Sequence, residues 1–85
     1  MDDKAWQVLG ERIHIIRRRR GWTSKELATK VGTGRTTISR LENNSKPAVS
    51  FDVVVRIAEV LDVSLDYLIG RKDDEEVETE PTAAA

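Results

Sequence analysis

The stretch from Trp22 to Asn43 admits few folds. Thr23-Ser24-Lys25-Glu26 is a capping box. The Thr23 hydroxyl can accept from the Glu26 amide, and the Glu26 carboxylate can reach back to the Thr23 amide. Trp22, just before the cap, and Leu27, at the fourth helical position, can close on each other as a hydrophobic staple. Leu27, Ala28 and Val31 then share one helical face, and Gly32 ends the helix by permitting a left-handed residue. Only Thr33 and Gly34 separate Gly32 from a second helical pattern, expected over residues 35–43. Its apolar seam is narrow, Ile38 and Leu41 alone. Arg35, Thr36, Ser39, Arg40 and Asn43 make up much of the rest, all able to hydrogen-bond and none of them acidic.

The remainder of the chain supplies three more helical patterns and no alternating one, so the expected class is all-α: a compact five-helix domain. Trp6, Leu9, Ile13 and Ile16 recur at three- and four-residue spacing in a first helix expected over residues 5–20. Arg17 to Arg20 close it, where cations suit the helix dipole, and Gly21 stops it. A turn-rich loop follows Asn43, with Asn44 a candidate left-handed residue. Ser50 caps a fourth helix running to Asp62, whose expected buried stripe is Phe51, Val54, Ile57, Ala58 and Leu61. Ser64 caps a short fifth helix with Leu65 and Leu68 inward, and Gly70 ends it. One folded domain is therefore expected over residues 1–70, with a disordered acidic tail over residues 71–85.

Charge is segregated along the chain. Residues 1–72 hold all 14 basic residues and nine of the 15 acids, a net +5, while residues 73–80 hold the other six acids. A basic body beside an acidic tail suggests a polyanionic partner, although a solvated surface with a solubilising tail fits the charge equally well. The chain has no cysteine, which excludes disulfides and thiolate metal sites. The opening Met1-Asp2-Asp3-Lys4 is too acidic for a secretory signal, and no apolar run can span a bilayer, so a cytoplasmic protein without membrane contact is expected.

Two helices joined by a short glycine-containing turn form a helix-turn-helix. The second bears the side chains that read base edges: Arg pairs bidentately with guanine, while Ser and Thr bond bases or touch the thymine methyl. The alternative is an amphipathic surface helix with a solvated polar face.

At these residues a family resemblance enters. Leu9-Gly-Glu-Arg-Ile13, Ile16-Arg17, Gly21-Trp-Thr23, Lys25-Glu-Leu-Ala28, Lys30-Val-Gly32, Thr36-Thr-Ile-Ser-Arg-Leu-Glu-Asn43, Ile57-Ala58 and Val63-Ser-Leu-Asp-Tyr-Leu-Ile-Gly70 resemble the XRE family, the helix-turn-helix domains of lambdoid phage repressors and Cro proteins. The resemblance covers residues 7–70. It implies a lambda repressor-like fold whose recognition helix, near residues 35–43, enters the major groove. Carried over by position, it implies base contacts from Arg35, Thr36, Ser39 and Arg40. It implies phosphate contacts from Thr23, Ser24, Lys25, Gly34, Asn43 and Lys46. It also pairs Arg17 with Glu42 in a salt bridge between the first and third helices. Two departures stand out. Relatives often carry glutamine where this chain has Ser24, whose shorter side chain reaches less far toward a phosphate. They often cap the third helix with Ser or Thr, where this chain has Gly34.

The implied function is a sequence-specific transcriptional regulator, a repressor binding a pseudo-palindromic operator in double-stranded DNA as a homodimer. The alternative is an antitoxin or protein-interaction module on the same scaffold. Val53, Val60, Tyr67 and Ile69 lie beside the inward stripes of their helices and form the candidate dimer interface; widening of the monomer core explains them almost as well. His14 lacks a second ligand for a metal and reads as a surface histidine. Trp6 and Trp22 lie in register with apolar stripes and read as packing residues. The basic run at residues 17–20 reads as a helix end near phosphates. With no nucleophile–base set, phosphate loop or paired acids, no enzyme, cofactor, metal or small-molecule ligand is expected. The acidic tail is expected to be a screened, non-specific competitor of DNA, or else only a solubiliser.

Overall fold

Every regular element of the computed structural model, which describes residues 2–43 and 49–73, is helical. The helices are α1 (Asp3–Arg19), α2 (Ser24–Val31), α3 (Arg35–Glu42), α4 (Phe51–Leu61) and α5 (Leu65–Leu68). Four start on a side-chain cap. Asp2, Thr23, Ser50 and Ser64 accept from the amides of Ala5, Glu26, Val53 and Tyr67 at 2.8, 3.0, 3.4 and 3.0 Å. Asp2 moves the start of α1 two residues ahead of the expected Ala5, because a carboxylate at that position satisfies an amide the apolar periodicity does not register. Only α3 lacks a side-chain cap, with Gly34 at that position. None of the described helices is long and apolar enough to cross a membrane.

The core draws on all five helices. Leu9, Ile13, Ile16, Leu27, Ile38, Leu41, Ile57, Leu61 and Leu68 are the deepest residues, each no more than 2% exposed. α3 packs on α1 and α2, α2 packs on α4, and α1 also meets α4 and α5. Gly32 makes the sharp joint between α2 and α3: its φ of 86° is left-handed, and its amide and that of Thr33 both return to the Ala28 carbonyl, at 2.8 and 2.9 Å. Any residue with a Cβ would be strained at that φ.

The structure corrects several expectations. Phe51 is 68% exposed rather than buried. It is the first residue of α4, at the rim of the stripe formed by Val54, Ile57, Ala58 and Leu61. A helical side chain leans toward the N-terminus, so Phe51 projects past the end of the core. Tyr67 is buried within its own chain, its ring 4.2 Å from the Arg12 guanidinium. It therefore offers no free side chain to a dimer. Val53 and Val60 pack partly against the core, and only Ile69 of the four candidate residues lies outside it, half-buried. The described chain beyond Gly70 stays against the domain. Arg71 and Lys72 donate their amides to the Asp66 carbonyl at 2.8 and 3.3 Å. The Asn44 turn, Lys46 and the tail from Asp74 lie outside the described residues.

Candidate nucleic-acid interface

The exposed face of α3 is set by which of its residues are needed for packing. Ile38 and Leu41 are fully buried, each such burial stabilising by about 1.5–3 kcal/mol. At 3.6 residues per turn, Thr36, Ser39, Arg40 and Asn43 fall directly opposite that seam, with Arg35 at the edge of the same face. Arg35, Thr36, Arg40 and Asn43 are exposed and Ser39 is half-buried.

α3 is held in place by charge as well as by packing. The Arg17 guanidinium grips the Glu42 carboxylate with two prongs, Nε to Oε2 at 2.7 Å and Nη2 to Oε1 at 2.9 Å. Its third nitrogen donates to the Trp22 carbonyl at 2.7 Å. Both side chains are largely withdrawn from solvent, at 10% and 8% exposure. A two-pronged guanidinium–carboxylate pair fixes orientation as well as distance, so α1, the α1–α2 junction and the end of α3 are locked together. Burial pushes the Glu42 carboxyl pKa up, but the hydrogen bonds and charges of Arg17 and His14 outweigh it, and the pKa ends below the ordinary value. The hydrogen bond to Glu42 raises the Arg17 pKa; burial opposes that rise and the Glu42 charge reinforces it.

His14 is the clamp residue that sequence reasoning missed. Its Nδ1 lies 2.9 Å from Glu42 Oε1 and 3.3 Å from Arg17 Nη2. Neutral, with the proton on Nε2, that nitrogen accepts from Arg17; protonated, it donates to Glu42. The signal was its place one helical turn before Arg17. The basic run also divides. Arg20 donates to the Leu61 carbonyl at 2.8 Å and lies 5.4 Å over the Trp22 ring, while Arg18 and Arg19 are exposed. Arg17 and Arg20 thus serve the fold, contrary to a uniform phosphate-facing run.

The N-terminus of α2 stands beside α3. Thr23, Ser24, Lys25, Arg35 and Ser39 line a single open hollow of about 300 Å³. The capping box is complete on both sides, Glu26 amide to Thr23 Oγ1 at 3.0 Å and Thr23 amide to Glu26 Oε1 at 2.8 Å. The bond from the Thr23 backbone is the larger reason the Glu26 carboxyl pKa is lowered. The hollow therefore joins three of the candidate phosphate contacts to two of the candidate base readers. Thr36, Arg40, Gly34 and Asn43 lie outside it, and Lys46 is beyond the described residues. At Gly34 the backbone is extended, and nothing lies within 4 Å of where a Cβ would sit. Among the described residues no cluster of acids and histidine is placed to hold a metal.

A firmly seated helix with a polar, partly cationic outer face, set across a glycine turn from the capped start of another, defines a helix-turn-helix DNA-binding domain. The helix-turn-helix family model matches residues 13–68. The chain belongs to that family, in its XRE type. It is 33% identical over 69 residues to the transcriptional regulator SinR of Bacillus licheniformis, a match covering 81% of this chain and 62% of SinR. It is 35% identical over 57 residues to the antitoxin HipB of Escherichia coli, covering 67% of this chain and 60% of HipB. Among solved structures, the N-terminal DNA-binding domain of SinR from Bacillus subtilis matches at a TM-score of 0.68 and 32% identity, over 74% of this chain and 91% of that one. A SinR structure in complex with DNA matches at 0.66 and 33%, over 72% and 97%. The chain spans about 60% of the length of these two curated relatives.

Proposed function

We propose that this chain is a sequence-specific transcriptional regulator acting in the cytoplasm, a repressor that seats α3 in the major groove of a pseudo-palindromic operator as a homodimer. The observation that carries the reading is the presentation of α3. Its inner face is fixed by Ile38, Leu41 and the Arg17–Glu42 clamp, and its outer face holds Arg35, Thr36, Ser39 and Arg40 beside the N-terminus of α2. A helix N-terminus offers unpaired amides and a positive dipole end to a phosphate, so Thr23, Ser24 and Lys25 anchor the backbone while α3 meets base edges. Gly34, Asn43 and Lys46 complete the phosphate set. A symmetric operator requires the two copies of α3 to face successive major grooves.

The test is selection of bound sequences from a random DNA pool, followed by Arg35→Ala and Arg40→Ala on the selected site. Each substitution should cost about 1–3 kcal/mol there and relax preference at one base step per half-site. Equal weakening on selected and random DNA removes the base-reading role. A second reading, as an antitoxin, is favoured by the resemblance to HipB. Its mark is a protein partner that copurifies in fixed ratio and covers part of this surface.

A further inference from the structure

Where α4 turns into α5, an open hollow of about 500 Å³ is left between them. Val55, Ala58 and Leu65 line its apolar side, and Glu59, Asp62 and Asp66 its acidic side. Phe51, Val55, Ala58 and Asp62 follow one another at four-, three- and four-residue spacing, so the exposed Phe51 ring prolongs the apolar side by one turn. The three acids serve no pairing within the fold. Asp2, Glu26 and Glu42 are taken up by caps and by the Arg17 clamp, whereas the carboxylates of Glu59, Asp62 and Asp66 have no partner among the described residues. Asp62 is also poorly placed for stability. It ends α4 at φ 58°, the one left-handed non-glycine residue among those described, and a carboxylate at a helix C-terminus opposes the dipole. Besides Phe51, the other large hydrophobic residue left exposed is Ile15 of α1, at 49%. Arg18 and Arg19 follow it by one turn and are exposed too, and Arg18 has no partner among the described residues.

We propose that the α4–α5 hollow receives a second copy of this chain, by the face of α1 that carries Ile15 and Arg18. Ile15 meets the apolar side, and Arg18 meets Glu59, Asp62 and Asp66. Charge decides the occupant. Two hollows brought together set acid against acid, and two such α1 faces set Arg18 against Arg18. Hollow against α1 face joins opposite signs with apolar surface on both partners. The acids of residues 73–80 are turned away from the hollow by the same rule. Exposed ion pairs contribute little by themselves, so burial of Ile15 holds the contact and the charges choose the partner. Neither surface includes α3, the start of α2 or Ile69. The contact is therefore separate from the candidate homodimer face and leaves both recognition faces open. Two copies joined in this way can occupy neighbouring stretches of DNA together. That consequence rests on the proposed function; the contact itself does not.

The chain contains no cysteine, so Gln7→Cys, two turns before Ile15, gives a single nitroxide site and leaves the charge unchanged. The spin-labelled chain is mixed with an isotope-labelled wild-type copy in the absence of DNA. It should cut the Val55 and Leu65 methyl signals of that copy several-fold, with Arg35 and Arg40 retaining theirs. Undiminished Val55 and Leu65 signals overturn the proposal, as does equal or greater loss at Arg35 and Arg40. Ile15→Asp in the spin-labelled chain should restore the signals, whereas Ile69→Asp in both copies should not. The reverse pattern assigns the contact to the homodimer face and overturns the proposal too. Glu59→Lys in the isotope-labelled copy should lessen the loss, and Arg18→Glu in the spin-labelled chain should bring it back. A loss that Arg18→Glu fails to bring back shows that charge does not choose the occupant, against the proposal. Ile15, Arg18 and Glu59 are all exposed, and an unchanged melting temperature checks the fold of each variant.

Discussion

Glu42 has two duties that pull in different directions. It is an acid on a helix meant to approach a polyanion, yet its carboxylate is turned inward and its charge is spent on Arg17 and His14. Removing it leaves the Arg17 guanidinium withdrawn from water, with the Trp22 carbonyl and the more distant His14 ring beside it and without the opposite charge of Glu42. Glu42→Ala should therefore cost about 2 kcal/mol in chemical denaturation, above the roughly 0–1 kcal/mol of an exposed pair and below a fully buried one. A change in midpoint too small to resolve would show that the clamp carries no stability. Because the folded Glu42 pKa is depressed, the linked stability is complete above its unfolded value, about 4, and is lost as pH falls through the folded value. Wild type should thus lose stability on acidification faster than Glu42→Gln, as read from melting temperature across the acid range. The pairing of Arg17 with Glu42 was reachable only through the family pattern, since nothing in either local sequence points to a partner 25 residues away. His14 gave less still, because a polar residue on a helix edge looks the same whether it faces water or a carboxylate.

Among the elements, α3 is the one whose start is left open. The other four helices hold their first turn with a side-chain oxygen, and α3 begins on Gly34 with empty space around it. Gly34→Asp should add a cap and raise stability by a few tenths of a kcal/mol. The same carboxylate would stand where a phosphate is expected, so binding to every DNA sequence should weaken. If DNA affinity is unchanged in a gel-shift titration, Gly34 does not approach the backbone. The helices themselves were legible because Thr23, Ser50 and Ser64 announce their starts and the three- and four-residue apolar rhythm carries through. Phe51 shows where that rhythm misleads. Spacing assigns a phase around the axis, but not whether anything packs against the helix at that height, and among the described residues the Phe51 side chain is left exposed while Val53 and Val54 of the same turn pack inward.

At the scale of the whole molecule, placement of charge matters more than its total. The net −1 of the chain conceals a basic body, and association with DNA should follow the body. Lys25→Ala and Lys46→Ala are each expected to weaken cognate and random DNA alike and to lower the slope of log K against log salt by about one. A change confined to the cognate site would reassign that lysine to base reading. With Tyr67 buried, the candidate dimer surface narrows to Ile69 with the partly covered Val53 and Val60. Sedimentation of the full chain should show self-association that Ile69→Asp weakens. A monomer at all concentrations, free and with Ile69→Asp alike, would leave pairing to the operator alone. The sequence made this surface look larger than it is, because an apolar residue beside a stripe can be covered by an arginine from another helix, as Arg12 covers Tyr67.

The way α3 is held has a consequence for how such a protein changes over generations. Its seat depends on Ile38, Leu41 and Glu42, while Thr36 and Arg40 are exposed and face away from all three. Replacing these two residues disturbs neither the core nor the clamp, so if α3 reads DNA as proposed, drift in what it recognises is decoupled from whether the chain folds. A lineage built on this frame can be retargeted a few side chains at a time, every intermediate remaining a folded protein in search of a site.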